Sequence, residues 1–139
     1  MRLASLHINQ FGARRDLRLS DFSERLNVVF GPNGSGKTTI IQFIRWMFFG
    51  DRDEISSRFL NTAHGPAHGA MKVSDGLHSN TFSRQSQPGS LLSKLTVDGT
   101  DHAMSRPQIS VSSEEFDRFF VVSFDRHRNV ADLINAANL

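Results

Sequence analysis

Apolar and polar residues alternate at the start of the chain. Ala4, Leu6 and Ile8 interleave with Ser5, His7 and Asn9, and Leu17 and Leu19 with Asp16 and Arg18. A period of two marks half-buried strands, so two strands are predicted, joined by a bend at Gln10-Phe11-Gly12-Ala13. Leu26-Asn27-Val28-Val29-Phe30 is a short, mostly apolar run, which suits a central parallel strand covered on both faces. From Ile40 the period lengthens. Ile40, Phe43, Ile44 and Met47 fall at i, i+3, i+4 and i+7, and Ile41, Trp46, Phe48 and Phe49 widen the apolar surface. This pattern predicts a buried helix from Lys37 to Phe49 with Trp46 in the core. Gly50 ends it as the residue past the last turn, and Asp51-Arg52-Asp53-Glu54 returns to solvent.

Further strands are predicted at Ala70 to Ser74, Ser79 to Arg84 and Lys94 to Asp98, separated by turn-forming Asp75-Gly76 and Gln87-Pro88-Gly89-Ser90 and closed by Asp98-Gly99. That order reads as an antiparallel meander, with Ser83 to Ser86 as polar residues at a hairpin end. Ser112 and Glu115 match a capping box, so a short helix starts near Ser113. Phe119 to Phe124 reads as a strand, and a last helix begins at Asn129 or Asp132. Eight residues at a free end make a marginal helix, so the natural protein is expected to continue past Leu139.

Between the apolar run and the helix lies Gly31-Pro32-Asn33-Gly34-Ser35-Gly36-Lys37-Thr38, a complete G-x-x-x-x-G-K-[ST] loop. A triphosphate needs many donors aimed at one point without bulky side chains, and backbone amides provide them. Glycines permit positive φ and close approach, so the amides of Asn33, Gly34, Ser35, Gly36, Lys37 and Thr38 are predicted to curl around the β-phosphate at a helix N-terminus. Lys37 reaches the β- and γ-phosphates, the Thr38 hydroxyl is the expected protein ligand of Mg²⁺, and Thr39 touches the α-phosphate. ATP with Mg²⁺ is the predicted ligand.

Composition narrows the partners. With 16 basic and 14 acidic side chains the net charge is +2, too small to argue for nucleic acid on charge alone. The absence of cysteine rules out disulfides and thiolate metal sites. No apolar run approaches the roughly 18 residues of a membrane span, and a soluble, cytoplasmic protein is expected.

Leu6-His7-Ile8-Asn9-Gln10-Phe11-Gly12, the run Leu26 to Phe30, the loop Gly31 to Thr39 and Ile44-Arg45-Trp46-Met47-Phe48-Phe49-Gly50 together resemble the N-terminal lobe of SMC-like ATPases of the RecF, SbcC and YhaN type. The resemblance is strong over residues 1 to 50 and weaker from Arg58 to Asp125. It implies an α/β, P-loop NTPase fold: an ABC-type N-terminal lobe with a mixed sheet, an antiparallel β-subsheet and the Walker A helix. A coiled coil and a C-terminal lobe carrying the signature motif and Walker B would follow, with a second head pairing across the nucleotide and DNA as a further partner. Family members hold residues near the adenine and phosphates just after the first bend, which nominates Arg14 or Arg15. Arg58 falls where the family places a basic residue for the γ-phosphate or DNA; the competing reading is a solvated loop arginine. The family's metal-sensing glutamine is missing from Val121-Val122-Ser123-Phe124-Asp125. Asp125 is either a substitute, water-mediated Mg²⁺ ligand or a surface residue ending the strand.

Two alternatives compete with the half-head: a free-standing P-loop kinase of a small metabolite, and a non-catalytic nucleotide sensor. A GTPase is disfavoured because no N-K-x-D motif follows the loop. His64 and His68 have the spacing of a metal pair but sit in a Gly/Pro loop without a neighbouring carboxylate, which makes a poor site. No catalytic set is complete within these residues, so the chain alone is expected to bind nucleotide and turn it over negligibly.

Overall fold

The computed structural model of the chain describes residues 2–50, 59–62, 65–74, 77–87, 93–101, 112 and 114–116. These divide between two compact units, Met1–Gln108 and Ile109–Leu139. In the first, strands β1 (Arg2–Phe11) and β2 (Arg14–Leu19) precede helix α1 (Lys37–Phe49). There follow β3 (Asn61–Thr62), β4 (Gly65–Pro66), β5 (His68–Ser74), β6 (Ser79–Gln85), β7 (Lys94–Val97) and β8 (Thr100–Asp101). Six strands form one sheet in the order β2-β1-β5-β6-β7-β8, and β3 pairs with β4 separately. The predicted β1–β2 hairpin and the meander are present.

One face of the sheet carries Leu6, Ile8, Met71, Val73 and Leu95, all buried, and α1 lies against it with Phe43, Trp46 and Met47 fully enclosed. Phe11 joins them, its ring 5.4 Å from Phe43, 5.3 Å from Trp46 and stacked on Phe59 at 5.1 Å. Gly50, at φ 74, closes the helix by donating its amide to Trp46 O. The helix sits close to the strands because Gly69 lacks a side chain. A Cβ there would lie 2.5 Å from the His7 carbonyl and 2.6 Å from Phe43. Gly69→Ala should therefore cost about 1–3 kcal/mol through overpacking, read as a lower urea midpoint with an unchanged slope; an unaltered midpoint would contradict this packing.

Three features differ from the sequence reading. The six-stranded sheet is antiparallel at every pair, so no parallel strand, and hence no mixed sheet, occurs among the described residues. Leu26–Phe30 accordingly pairs with nothing in it and stays open: Leu26 is 80% exposed and Phe30 90%. Its apolar character expresses a need for burial, whereas a strand also needs a neighbour, and β1 already has β2 and β5 on its two edges. Second, Arg84 is not a polar hairpin residue but a core side chain, 2% exposed. Third, Asp98-Gly99 does not close the sheet; with φ of 49 and 79 it turns β7 into β8, the two-positive-φ turn favoured in tight hairpins.

Asp98 also ties that turn to β6. Its carboxylate accepts from the Thr81 amide at 2.7 Å and from Asn80 Nδ2 at 2.8 Å, and these bonds, the Thr81 amide foremost, hold its pKa below the usual carboxylate value. A carboxyl whose pKa is lowered on folding adds stability above its unfolded pKa of about 3.9 and loses it as pH falls through the lower folded value. Asp98→Asn keeps the tolerance for positive φ while removing the charge. The variant should show a shallower acid limb in a stability-against-pH series; an identical limb would exclude Asp98 as a contributor.

In the second unit the predicted capping box is complete. Glu115 N–H donates to Ser112 Oγ at 3.1 Å, and Ser112 N–H to Glu115 Oε2 at 2.8 Å. A helical turn follows at residues 114–116. The predicted strand at Phe119 to Phe124 and the last helix lie outside the described residues.

Candidate nucleotide-binding site

The loop between residue 30 and α1 is shaped by its glycines. Gly34 and Gly36 take φ of 80 and 90, a region L side chains avoid. Gly31 serves differently from the sequence expectation: its φ is not positive, but a Cβ there would lie 2.8 Å from Ser35 Oγ. A turn at Asn33-Gly34 is closed by Ser35 N–H donating to Pro32 O at 3.1 Å. The first α-helical bond is Ile40 N–H to Gly36 O at 3.1 Å, and no side chain caps the helix start. The amides of Lys37, Thr38 and Thr39 are thus left without intrahelical acceptors, with the positive end of the helix dipole behind them. No acidic side chain stands in that first turn to neutralise it.

Two cations border this nest. Lys37 Nζ folds back over the loop, donating to Gly31 O at 2.6 Å and Pro32 O at 2.9 Å. Arg14 crosses from β2, donating through Nη2 to Gly34 O at 3.3 Å and lying so close that a Cβ on Gly36 would stand 2.2 Å from Arg14 Nε. Arg15 is exposed and makes no bond to the loop. The choice between the two arginines follows from strand geometry. Phe11 faces α1, Arg14 pairs with Phe11, and paired residues share a face. Strict alternation from Leu17 and Leu19 would instead have put Arg15 on that side; the switch falls at Asp16, whose φ is 45.

Thr38 is exposed at the mouth of the nest, while Ser35, Gly36 and Thr39 are half-buried and Asn33 and Gly34 open to solvent. A hydroxyl oxygen is a hard donor of the kind Mg²⁺ accepts beside phosphate and water oxygens, so the residues present fit that ion. Arg58 and Asp125 lie outside the described residues. Among those described no group of three metal-ligating side chains occurs, and no helix is long and apolar enough to cross a membrane.

A residue missed in the sequence braces the far end of the helix that the loop leads into. Arg84 donates from Nη1 to Ser93 Oγ at 2.8 Å and from Nη2 to Met47 O at 3.1 Å, with its guanidinium carbon 5.9 Å from the Trp46 ring centre. It fixes the C-terminal turn of α1 to β6 and places a cation where the helix dipole is negative. Its signal was parity: on β6, Arg84 shares the side of Phe82, opposite Ser83 and Gln85.

An AAA domain family model matches residues 5–135. The chain belongs to this AAA domain family. Over 47 residues, 34% of the chain, it is 45% identical to a chromosome partition protein Smc of Lactiplantibacillus plantarum, covering 4% of that protein. Over 46 residues, 33% of the chain, it is 46% identical to a DNA replication and repair protein RecF of Prosthecochloris aestuarii, covering 12% of it. The chain therefore matches a small part of each relative's length. Family and relatives together support an SMC/RecF-like ATPase N-terminal lobe.

Proposed function

We propose that this domain binds Mg-ATP as the Walker A half of an SMC/RecF-type ATPase head and acts in the cytoplasm in DNA repair or chromosome maintenance. The observation that carries the reading is the convergence at one helix N-terminus of unpaired amides, the Lys37 ammonium, the Arg14 guanidinium and the exposed Thr38 hydroxyl. In this reading the amides and Lys37 hold the β- and γ-phosphates, Thr38 and Asp125 hold Mg²⁺, Thr39 meets the α-phosphate, and Arg14 and Arg58 add charge. Bound Mg²⁺ supplies electrostatic stabilisation of phosphoryl transfer.

A C-terminal lobe of the same protein is the proposed cover for Leu26–Phe30. Support comes from the exposure of that run and of Val28, at 71%, immediately before the loop, because an apolar backbone without strand partners is a template for pairing. That lobe would bring the signature motif and Walker B, and a second head and DNA would be further partners. The antiparallel sheet beside α1 counts against a metabolite kinase, for which alternating strand–helix units are expected.

Calorimetric titration of Mg-ATP tests the site. Lys37→Ala should weaken binding at least about tenfold, about 1.4 kcal/mol, because no other loop side chain carries a charge to the phosphates. Equal affinities would reject the site. Phosphate release by the chain alone should be negligible; turnover on the order of 1 s⁻¹ that disappears in Lys37→Ala would overturn the half-head reading while leaving nucleotide binding intact.

A further inference from the structure

The turn between β1 and β2 is held at more points than a two-residue hairpin requires. Gly12 stands at its first central position with φ 56, and the peptide groups on both sides of it are tied down. Its N–H donates to Phe59 O at 2.8 Å. Its carbonyl accepts from Gln10 Nε2 at 2.9 Å, and Gln10 is 5% exposed, so that bond is shielded from water. The Phe59 ring completes the grip. It lies parallel to Phe11, with 5.1 Å between centres and 5° between planes, and it fills the space that a side chain on residue 12 would need. A Cβ on Gly12 would stand 2.6 Å from Phe59 Cδ1.

Closing the hairpin needs none of this, because a glycine at the first central position and the pairing of Phe11 with Arg14 are sufficient. Core filling does not account for the ring either. Phe11, Phe43 and Trp46 have no exposed surface, whereas Phe59 is only half-buried, at the edge of the core where the turn lies. What leaves the turn is Arg14, whose side chain reaches Gly34 O at 3.3 Å and stands against Gly36. That bond is near the limit of hydrogen-bond length, and a flexible arginine has many other rotamers to occupy. A small displacement of the turn therefore breaks the contact.

We propose that Phe59 is a positioning residue for the nucleotide: it holds the β1–β2 turn so that the Arg14 guanidinium stands over the Walker loop and meets the phosphates of Mg-ATP. Phe59 itself touches no ligand. It acts through Arg14, with Gln10 holding the turn from the other side. A guanidinium fixed beforehand makes its charge-assisted contact with less ordering on binding than a free one. The role in binding rests on reading the loop as a Mg-ATP site; the coupling of Phe59 to Arg14 does not.

The test is a double-mutant cycle on the full chain, read with and without nucleotide. In amide NMR of the nucleotide-free chain, the Gly34 and Gly36 signals should shift in Arg14→Ala and shift in the same direction in Phe59→Leu. The double variant should move them no further than Arg14→Ala does. In calorimetry with Mg-ATP, Arg14→Ala should weaken binding at least about fivefold and Phe59→Leu at least about threefold, while the double variant should match Arg14→Ala alone. Phe59→Leu keeps an apolar side chain and the carbonyl that the Gly12 N–H meets. Gln10→Met, which removes the donor to Gly12 O, should follow the same pattern and carries the test if Phe59→Leu does not fold. Loop signals unmoved by either variant, or losses that multiply to about fifteenfold in the double variant, would overturn the positioning role while leaving the nucleotide site intact. Coupled loop shifts in a parent chain that binds no Mg-ATP would instead overturn the site, and with it the purpose of placing Arg14.

Discussion

Trp46→Ala should destabilise the domain by about 3–5 kcal/mol, the range for emptying a buried aromatic position. Trp46 has no exposed surface and touches three different parts of the core: Phe11 from β1 at 5.3 Å, Phe43 one turn earlier at 5.9 Å, and the Arg84 guanidinium at 5.9 Å. Truncation leaves a cavity that the strands cannot collapse into, because Gly69 already holds α1 against the backbone of β5. It also takes away the ring face over which Arg84 lies, so a buried cation loses part of its compensation. With total stabilities of about 5–15 kcal/mol typical, the variant should be partly unfolded at ambient temperature. Equilibrium urea unfolding measures the loss, and Trp46→Phe, which keeps an aromatic face for Arg84, should lose less. A loss below about 1 kcal/mol, the level of an ordinary surface change, would show that the ring is not packed as described.

Local signals in the sequence carried most of this architecture. The period-two stretches before Phe11 and Leu19, the helical period from Ile40 to Phe49, Gly50, and the Ser112–Glu115 box are each set by neighbouring residues, and each is present. The loop was equally legible, since Gly34 and Gly36 do what their missing side chains allow. What could not be read depends on non-local geometry. Leu26 to Phe30 has a composition that asks for cover, yet composition does not say which element supplies it, and the six-stranded sheet offers no parallel partner. Arg14 rather than Arg15 reaches the loop because the strand faces switch around Asp16, a backbone irregularity with no marker beyond one aspartate. Arg84 sat in a polar quartet, Ser83 to Ser86, where an arginine suggests solvent. Its burial depends on Ser93 and on Met47, 37 residues away.

Gly36→Val should weaken Mg-ATP binding at least about 100-fold, about 2.7 kcal/mol, a larger effect than removing the Lys37 charge is required to show. Gly36 stands at φ 90, ψ 16 as the residue preceding the first helical amide, and a side chain in left-handed backbone costs about 1–2 kcal/mol even without a β-branch. Two routes relieve that cost, and both spoil the site. If the backbone moves to negative φ, the amides of Lys37 and Thr38 turn away from their common focus, and a helix N-terminus stops acting as an anion nest. If the backbone stays, the new Cβ falls 2.2 Å from Arg14 Nε, and Arg14 must leave the loop with its bond to Gly34 O. Gly34→Asn is the control: its φ of 80 is also positive, but a Cβ there meets nothing within 4 Å, and asparagine tolerates left-handed backbone. It should bind within about tenfold of the parent. Calorimetry on both variants, with thermal unfolding to verify that α1 and the sheet persist, decides the matter. Parent-like affinity in Gly36→Val would mean that the amides at this helix start do not hold the phosphates.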